Sequence, residues 1–225
     1  MSDRRAILAR IKEALTLSAP LPGSHSVKSD RTAAAPQISD WLPWVGESFE
    51  ERIQLFAANS ADLKTDFHLL QTRDEMLSKL QAIAQVEGWK KIGSHQGDLT
   101  DAATTKLKLE VCDTSESYDV KDLESCDAGV SGCDALVAQT GSVLVSSRSA
   151  GGRALSVLPP HHVVLATRAQ LLSDLPAALA LLKNRYAPEF PSFFSFITGP
   201  SRTGDIERIL VLGAHGPKKL TILCY

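Results

Sequence analysis

"DALVAQTGSVLVSSRSAGGRALSVLPPHHVVLA", residues 134–166, is the stretch on which the fold turns. Asp134 to Gln139 is a short apolar run, Thr140-Gly141 is a turn pair, and Ser142 to Ser147 is apolar again. Two such runs across a tight glycine turn predict a β-hairpin. After the glycine-rich loop "RSAGGRALS", 148–156, and Pro159-Pro160, the run His161 to Ala166 has no polar alternation beyond its two histidines. Continuous apolar strands are buried on both faces, as in a parallel sheet.

Working outward, strands are expected at Phe67–Leu70, Trp89–Gly93 and Leu107–Cys112, alternating with helices at Phe49–Ala58 and from a Thr72 cap to about Val86. Downstream come a helix over 168–184, with Leu171, Leu172, Leu175, Ala178, Leu179 and Leu182 on its core stripe, and a strand at Phe193–Thr198. A helix from Ile206 towards Leu212, capped by Asp205 or Thr203, and a closing strand at Lys219–Cys224 complete the chain. Strands alternating with helices predict βαβ units, hence an α/β fold with a parallel sheet.

The N-terminal part is different. Residues 2–17 read as an amphipathic helix with Ile7, Leu8, Ile11, Ala14 and Leu15 on one stripe. Residues 18–37 are rich in Pro, Ser and Ala and have no period, as in a linker. The expected organisation is therefore a helical arm with its linker over 1–45 and an α/β domain over 46–225. The arm's apolar stripe calls for burial against the main domain or a second copy of the chain, a route to a homo-oligomer. Trp41 and Trp44 are read as aromatic plugs anchoring the arm.

Composition narrows the function classes. The 225 residues are 44% hydrophobic and 22% charged, with a formal net charge of −2. Nucleic-acid binding through a broad basic surface needs a large excess of Lys and Arg, so no nucleic-acid partner is expected. No apolar run is long enough for a membrane span, and the N-terminus lacks a signal-peptide core. The expected compartment is the cytoplasm. The four cysteines, at 112, 126, 133 and 224, form no C-x-x-C pair and have no zinc or iron–sulfur spacing, so no metal site is expected. Cys126 and Cys133, seven apart in a polar segment, are the pair to watch.

Three segments can carry chemistry. The first is "TGPSRTGD", 198–205, between a strand and an expected helix start. Helix N-termini present free N–H groups to anions; Ser201 and Thr203 can donate hydroxyl bonds, and Arg202 can grip a carboxylate or phosphate. Thr198 adds a hydroxyl and Gly199 lets backbone approach a ligand closely. Equally, Ser201 and Thr203 can simply cap a helix while Arg202 pairs with Asp205 or Glu207. The second is "AQTGS", 138–142, where Gln139, Thr140, Gly141 and Ser142 offer donors at a sheet edge or form an ordinary hairpin turn. The third is "RSAGGR", 148–153, whose two arginines flank glycines in a way that suits anion contact. The adjacent His161 and His162 point to opposite faces of a strand and make a poor chelate. His215, between glycines, is the more exposed imidazole. No G-x-G-x-x-G, G-x-S-x-G or H-E-x-x-H motif is present.

The run "ITGPSRTGDIERILVLGAHGPKKLTIL", with "DALVAQTGSVLV" and "LSVLPPHHVVLA" before it, resembles the LutC/YkgG family, the lactate-utilisation protein C group built on a LUD domain. The resemblance is strong over roughly residues 130 to 225. It implies a NagB/RpiA/CoA-transferase-like open sheet with helices on both faces. It also implies a part in oxidising L-lactate to pyruvate beside partner proteins that carry iron–sulfur clusters, with none in this chain, and a small anionic ligand. Relatives usually have glutamate where this chain has Gln139, and an amide is neither a general base nor a carboxylate nucleophile. A stand-alone isomerase or transferase on the same fold, and a non-catalytic regulatory or scaffold protein, stay open beside the subunit reading.

Overall fold

The computed structural model describes residues 7–10, 12–13, 43–203 and 211–225. The chain divides into two units, Met1–Leu42 and Pro43–Tyr225. In the first, residues 7–10 and 12–13 are helical, with Ile7 and Leu8 more than half exposed. The rest of the expected 2–17 helix, the linker and Trp41 lie outside the described residues.

The second unit opens with α1 (Phe49–Asp62). Its start is written in Ser48 and Glu51: the Ser48 hydroxyl accepts from the Glu51 N–H, and the Glu51 carboxylate accepts from the Ser48 N–H. Then follow β1 (Asp66–Leu69), α2 (Arg73–Glu87, capped by Thr72), β2 (Lys91–Ser94), α3 (Asp98–Leu107), β3 (Glu110–Asp113), α4 (Val120–Glu124) and β4 (Ala128–Ser131). The chain continues through β5 (Ala135–Val137), β6 (Ser142–Ser146), β7 (His161–Ala166), β8 (Leu171–Leu172), α5 (Leu175–Tyr186) and β9 (Phe194–Ile197). β10 (Arg202–Thr203), β11 (Val211–Leu212) and β12 (Lys219–Cys224) close it.

Six strands form one wholly parallel sheet in the order β1-β12-β7-β4-β2-β3. A second, mixed sheet has the order β8-β5-β6-β9, with the expected hairpin β5–β6 antiparallel at its centre. β10 and β11 pair as a two-stranded ribbon. The alternation of side chains along β7 and β12 divides the core. Val163, Leu165 and Leu223 pack under Met76, Leu80 and Ala84 of α2 and Ala103 of α3. Val164, Ala166 and Ile222 face the other way, onto Ile53 and Phe56 of α1 and Leu136, Val143 and Val145 of the mixed sheet. Each large side chain buried this way contributes about 1.5–3 kcal/mol.

Several elements differ from expectation. The helix expected over 168–184 starts only at Leu175, because Asp174 caps it by accepting from the Ala177 N–H and Pro176 occupies its first turn. Leu171 and Leu172 are instead a strand paired with β5. Val211–Leu212 is strand rather than the end of a helix, and Thr203 is its partner rather than a cap; residues 204–210 lie outside the described residues. Trp44 is 71% exposed and plugs nothing. Cys126 and Cys133 are buried in separate clusters, not set in a polar surface segment.

Candidate functional site

Parallel strands carry ligands at their carboxyl ends, above all where neighbouring strands send their connections opposite ways. Here that place lies between β2 and β4. The chain leaves β2 for the edge strand β3, and leaves β4 for the mixed sheet and then β7. A cavity of about 460 Å³ opens there. The residues after β2 supply His95 and Gln96, those after β3 supply Thr114, Ser115, Glu116 and Tyr118, and the loop after β6 supplies Ser147, Arg148, Gly151 and Gly152.

The arginine loop is held from beneath by a buried carboxylate. Asp134 Oδ2 accepts from the Ser149 hydroxyl at 2.7 Å; Oδ1 accepts from Arg185 Nη1 at 2.9 Å and from the Tyr186 hydroxyl at 2.5 Å. Ser149 and Ser146 exchange bonds between backbone N–H and hydroxyl in both directions, which pins the turn. Burial and the Asp134 carboxylate push the Tyr186 hydroxyl above its usual pKa, so it stays a donor. The Arg148 guanidinium lies 5.6 Å above the Tyr186 ring, exposed and with no ion pair among the described residues. Gly151 and Gly152 both have positive φ, 63° and 95°, and neither has a hydrogen-bond partner among the described residues. Two consecutive N–H groups without partners among the described residues thus lie beside an unpaired arginine at the cavity, a combination suited to an anion.

His95 joins the two sides of the crevice. Its Nδ1–H donates to the Gln96 carbonyl at 2.9 Å, and its Nε2 accepts from the Gly132 N–H at 3.2 Å. Both ring nitrogens are thereby committed and the ring is neutral; burial holds its pKa below the usual histidine value. Thr114 Oγ1 donates to the Ser94 carbonyl, and the Ser115 hydroxyl accepts from the Gln96 N–H at 2.7 Å. Glu116, exposed at the rim, is the one carboxylate among the lining residues.

The residues singled out in the other two segments, 138–142 and 198–203, are gathered elsewhere, around the C-terminal end of α1. Asn59 of α1 donates to the carbonyls of Ala138 and Gln139, at 2.8 and 3.1 Å. Gly141, at φ +64°, packs so closely on Asn59 that a Cβ there would meet it at 2.9 Å. The Gln139 amide oxygen accepts weakly from the Leu175 N–H at the start of α5, while its Nε2 and the Thr140 hydroxyl are buried without partners among the described residues. The Thr198 and Ser142 hydroxyls meet at 2.8 Å, and Gly199 lies against the Leu63 carbonyl. Arg202 donates to that same carbonyl, capping the helix end as a cation should. The Ser201 N–H donates to the Pro217 carbonyl at 2.8 Å, and its hydroxyl accepts from the His215 N–H at 3.4 Å. Both motifs thus meet on one helix end and spend most of their donors on the chain itself.

The two adjacent histidines are interior. His162 is fully buried beside the Ser131 hydroxyl, 2.8 Å away, and desolvation takes its pKa down to about 3. His161 meets Thr221 Oγ1 at 2.9 Å, and burial takes it down to about 4. Sequence reasoning found Arg148 and its glycines but not His95, Gln96, Thr114 or Ser115. The signal was there in Ser94-His95-Gln96-Gly97, a polar, glycine-ended run at the carboxyl end of β2.

The chain is similar to known proteins over most of its length. The LUD domain matches residues 53–225. An uncharacterized protein of Neisseria meningitidis serogroup B is 28% identical over 99% of this chain and 93% of its own length. A lactate utilization protein C of Halalkalibacterium halodurans is 33% identical over 66% of this chain and 65% of its own length. Among solved structures, a DUF162 family protein from Deinococcus radiodurans is similar in fold, with a TM-score of 0.62 and 19% identity over 80% of this chain and 99% of that one.

Proposed function

Because the chain belongs to the LUD-domain family, we propose that it is a LutC-like subunit that binds a small carboxylate while iron–sulfur partner proteins oxidise L-lactate to pyruvate. In this reading the finer architecture is NagB/RpiA/CoA-transferase-like, and the chain's own contribution is to hold an anion, not to carry electrons. The observation that supports it most is the pairing of the unpaired Arg148 with the free N–H groups of Gly151 and Gly152 over one cavity. A carboxylate of lactate or pyruvate takes two guanidinium bonds and one or two backbone bonds there. Gln96 and the Ser115 hydroxyl line the same cavity and can serve the 2-oxygen.

The alternative anion site is the loop with Thr198, Gly199, Ser201, Arg202 and Thr203, with Gln139, Thr140, Gly141 and His215 around it. It is the weaker candidate, because Arg202 and the Ser201 N–H already have partners in the fold. The committed tautomer of His95 likewise favours a binding role over general-base catalysis at the cavity.

Lactate-dependent dye reduction tests the proposal. The purified chain alone is expected to reduce no dye, and the chain combined with its iron–sulfur partners is expected to support reduction that falls when this chain is omitted. Reduction by the chain alone, or full activity without it, contradicts the subunit reading.

A further inference from the structure

A second cavity, of about 350 Å³, opens at the opposite, amino-terminal edge of the parallel sheet. Its walls are unlike each other. Helix α2 contributes Ala82, Ile83 and Val86, and Val86 is 86% exposed, an unusual place for a large aliphatic side chain. Around them stand Lys64, Lys79 and Lys218. Lys219 donates to both Glu87 oxygens at 2.7 Å, and the one further lining carboxylate, Asp66, meets the His68 ring at 3.0 Å. Lys64, Lys79 and Lys218 have no ion pair among the described residues.

Two further observations mark the place. His161 lines the cavity at 6% exposure, edge-on to Trp89, and its Nδ1 is buried without a hydrogen-bond partner among the described residues. Unpartnered buried nitrogens are uncommon and call for a ligand or water. Lys64, for its part, has φ 63°, in the left-handed region. It sits at the turn where the Thr65 N–H returns to the Ser60 carbonyl and the Lys64 N–H to the Ala61 carbonyl, the position after a helix where glycine is the usual residue. A lysine there can serve the helix end alone, or can be kept for a charge it delivers to the cavity.

We propose that this cavity binds a small organic phosphate with an apolar body. Three ammonium groups without ion pairs, against the single carboxylate of Asp66, leave an excess of two positive charges that suits a dianionic phosphate better than a carboxylate, and the aliphatic wall takes an aromatic or short-chain body. The volume lies within the usual range for small-molecule pockets, roughly 300–1,000 Å³. The site is separate from the carboxyl-edge cavity and does not rest on the lactate reading.

Calorimetric titration of the full chain with phenyl phosphate tests it, with inorganic phosphate and benzyl alcohol as comparators. Phenyl phosphate is expected to bind more tightly than inorganic phosphate, and benzyl alcohol not to bind. Lys218→Gln and Lys64→Gly should each weaken phenyl phosphate about tenfold, the size of one lost charge-assisted contact. Lys64→Gly should also unfold at the same or a higher temperature, since glycine suits that backbone; a loss of binding in that variant is then not a loss of fold. No binding of phenyl phosphate, binding unchanged in both variants, or binding abolished by Arg148→Ala overturns the proposal.

Discussion

Gly151 lies flat against His95: a Cβ at position 151 would stand 2.5 Å from His95 Cβ and 2.6 Å from Thr114 Oγ1. The arginine loop is therefore seated directly on the ends of β2 and β3, and the cavity keeps its shape only while residue 151 has no side chain. Gly151→Ala adds left-handed backbone strain, φ being 63°, to that overlap. The expected cost is about 2–4 kcal/mol, from strain and overpacking together. Chemical denaturation reads it, and anion affinity in the folded fraction should fall too. A variant as stable as the parent, with unchanged affinity, removes the close seat from the account.

Stability should fall on mild acidification. His161 and His162 have folded-state pKa values of about 4 and about 3, set mainly by burial, against about 6.5 in an unfolded chain. His95 is shifted in the same direction. Below about pH 6.5 the unfolded chain takes up protons that the folded chain refuses, so stability present at neutral pH is lost progressively towards pH 4 and pH 3. Each histidine adds a slope approaching about 1.4 kcal/mol per pH unit. The carboxylates whose values are lowered, such as Glu87 and Asp113, join once the pH falls through their unfolded values, about 4.3 and 3.9. Urea midpoints at pH 7, 6 and 5 check this; His162→Gln should flatten the profile by one histidine, and a parent profile flat from pH 7 to 5 contradicts it.

Arg202→Ala separates the two candidate anion sites. Its guanidinium caps the Leu63 carbonyl from an exposed position, so its removal should cost about 1 kcal/mol of stability. Affinity for lactate or pyruvate should stay within twofold of the parent. A folded variant with lost affinity moves the ligand to the loop at 198–203.

The fold was legible where burial is uniform or a turn is explicit. His161–Ala166 and Lys219–Cys224 are central strands, and Thr140-Gly141 turns the β5–β6 hairpin. β4 was not legible. It is four residues long and includes Gly129, which lets the Leu155 carbonyl come within 2.5 Å of where a Cβ would be. Helix α3 begins at Gly97 with no side-chain cap, so its start carries no signature. Leu171 and Leu172 fit a helical stripe equally well, and only pairing with β5 decides them. The cavity was hardest to see. His95, Thr114 and Arg148 come from three separate loops, and no linear motif joins them. The segment at 198–203 carries the denser linear signal, and much of its chemistry serves the end of α1.

The central claim is that Arg148 and the glycine amides beside it hold a small carboxylate. Thermal unfolding of the parent and of Arg148→Ala, with and without L-lactate or pyruvate, tests it most directly. The account predicts that without ligand both unfold at the same temperature. It predicts that ligand raises the parent's midpoint with concentration, and that the variant needs about tenfold more for the same shift. Equal stabilisation of both proteins, or none in the parent at any concentration, contradicts it.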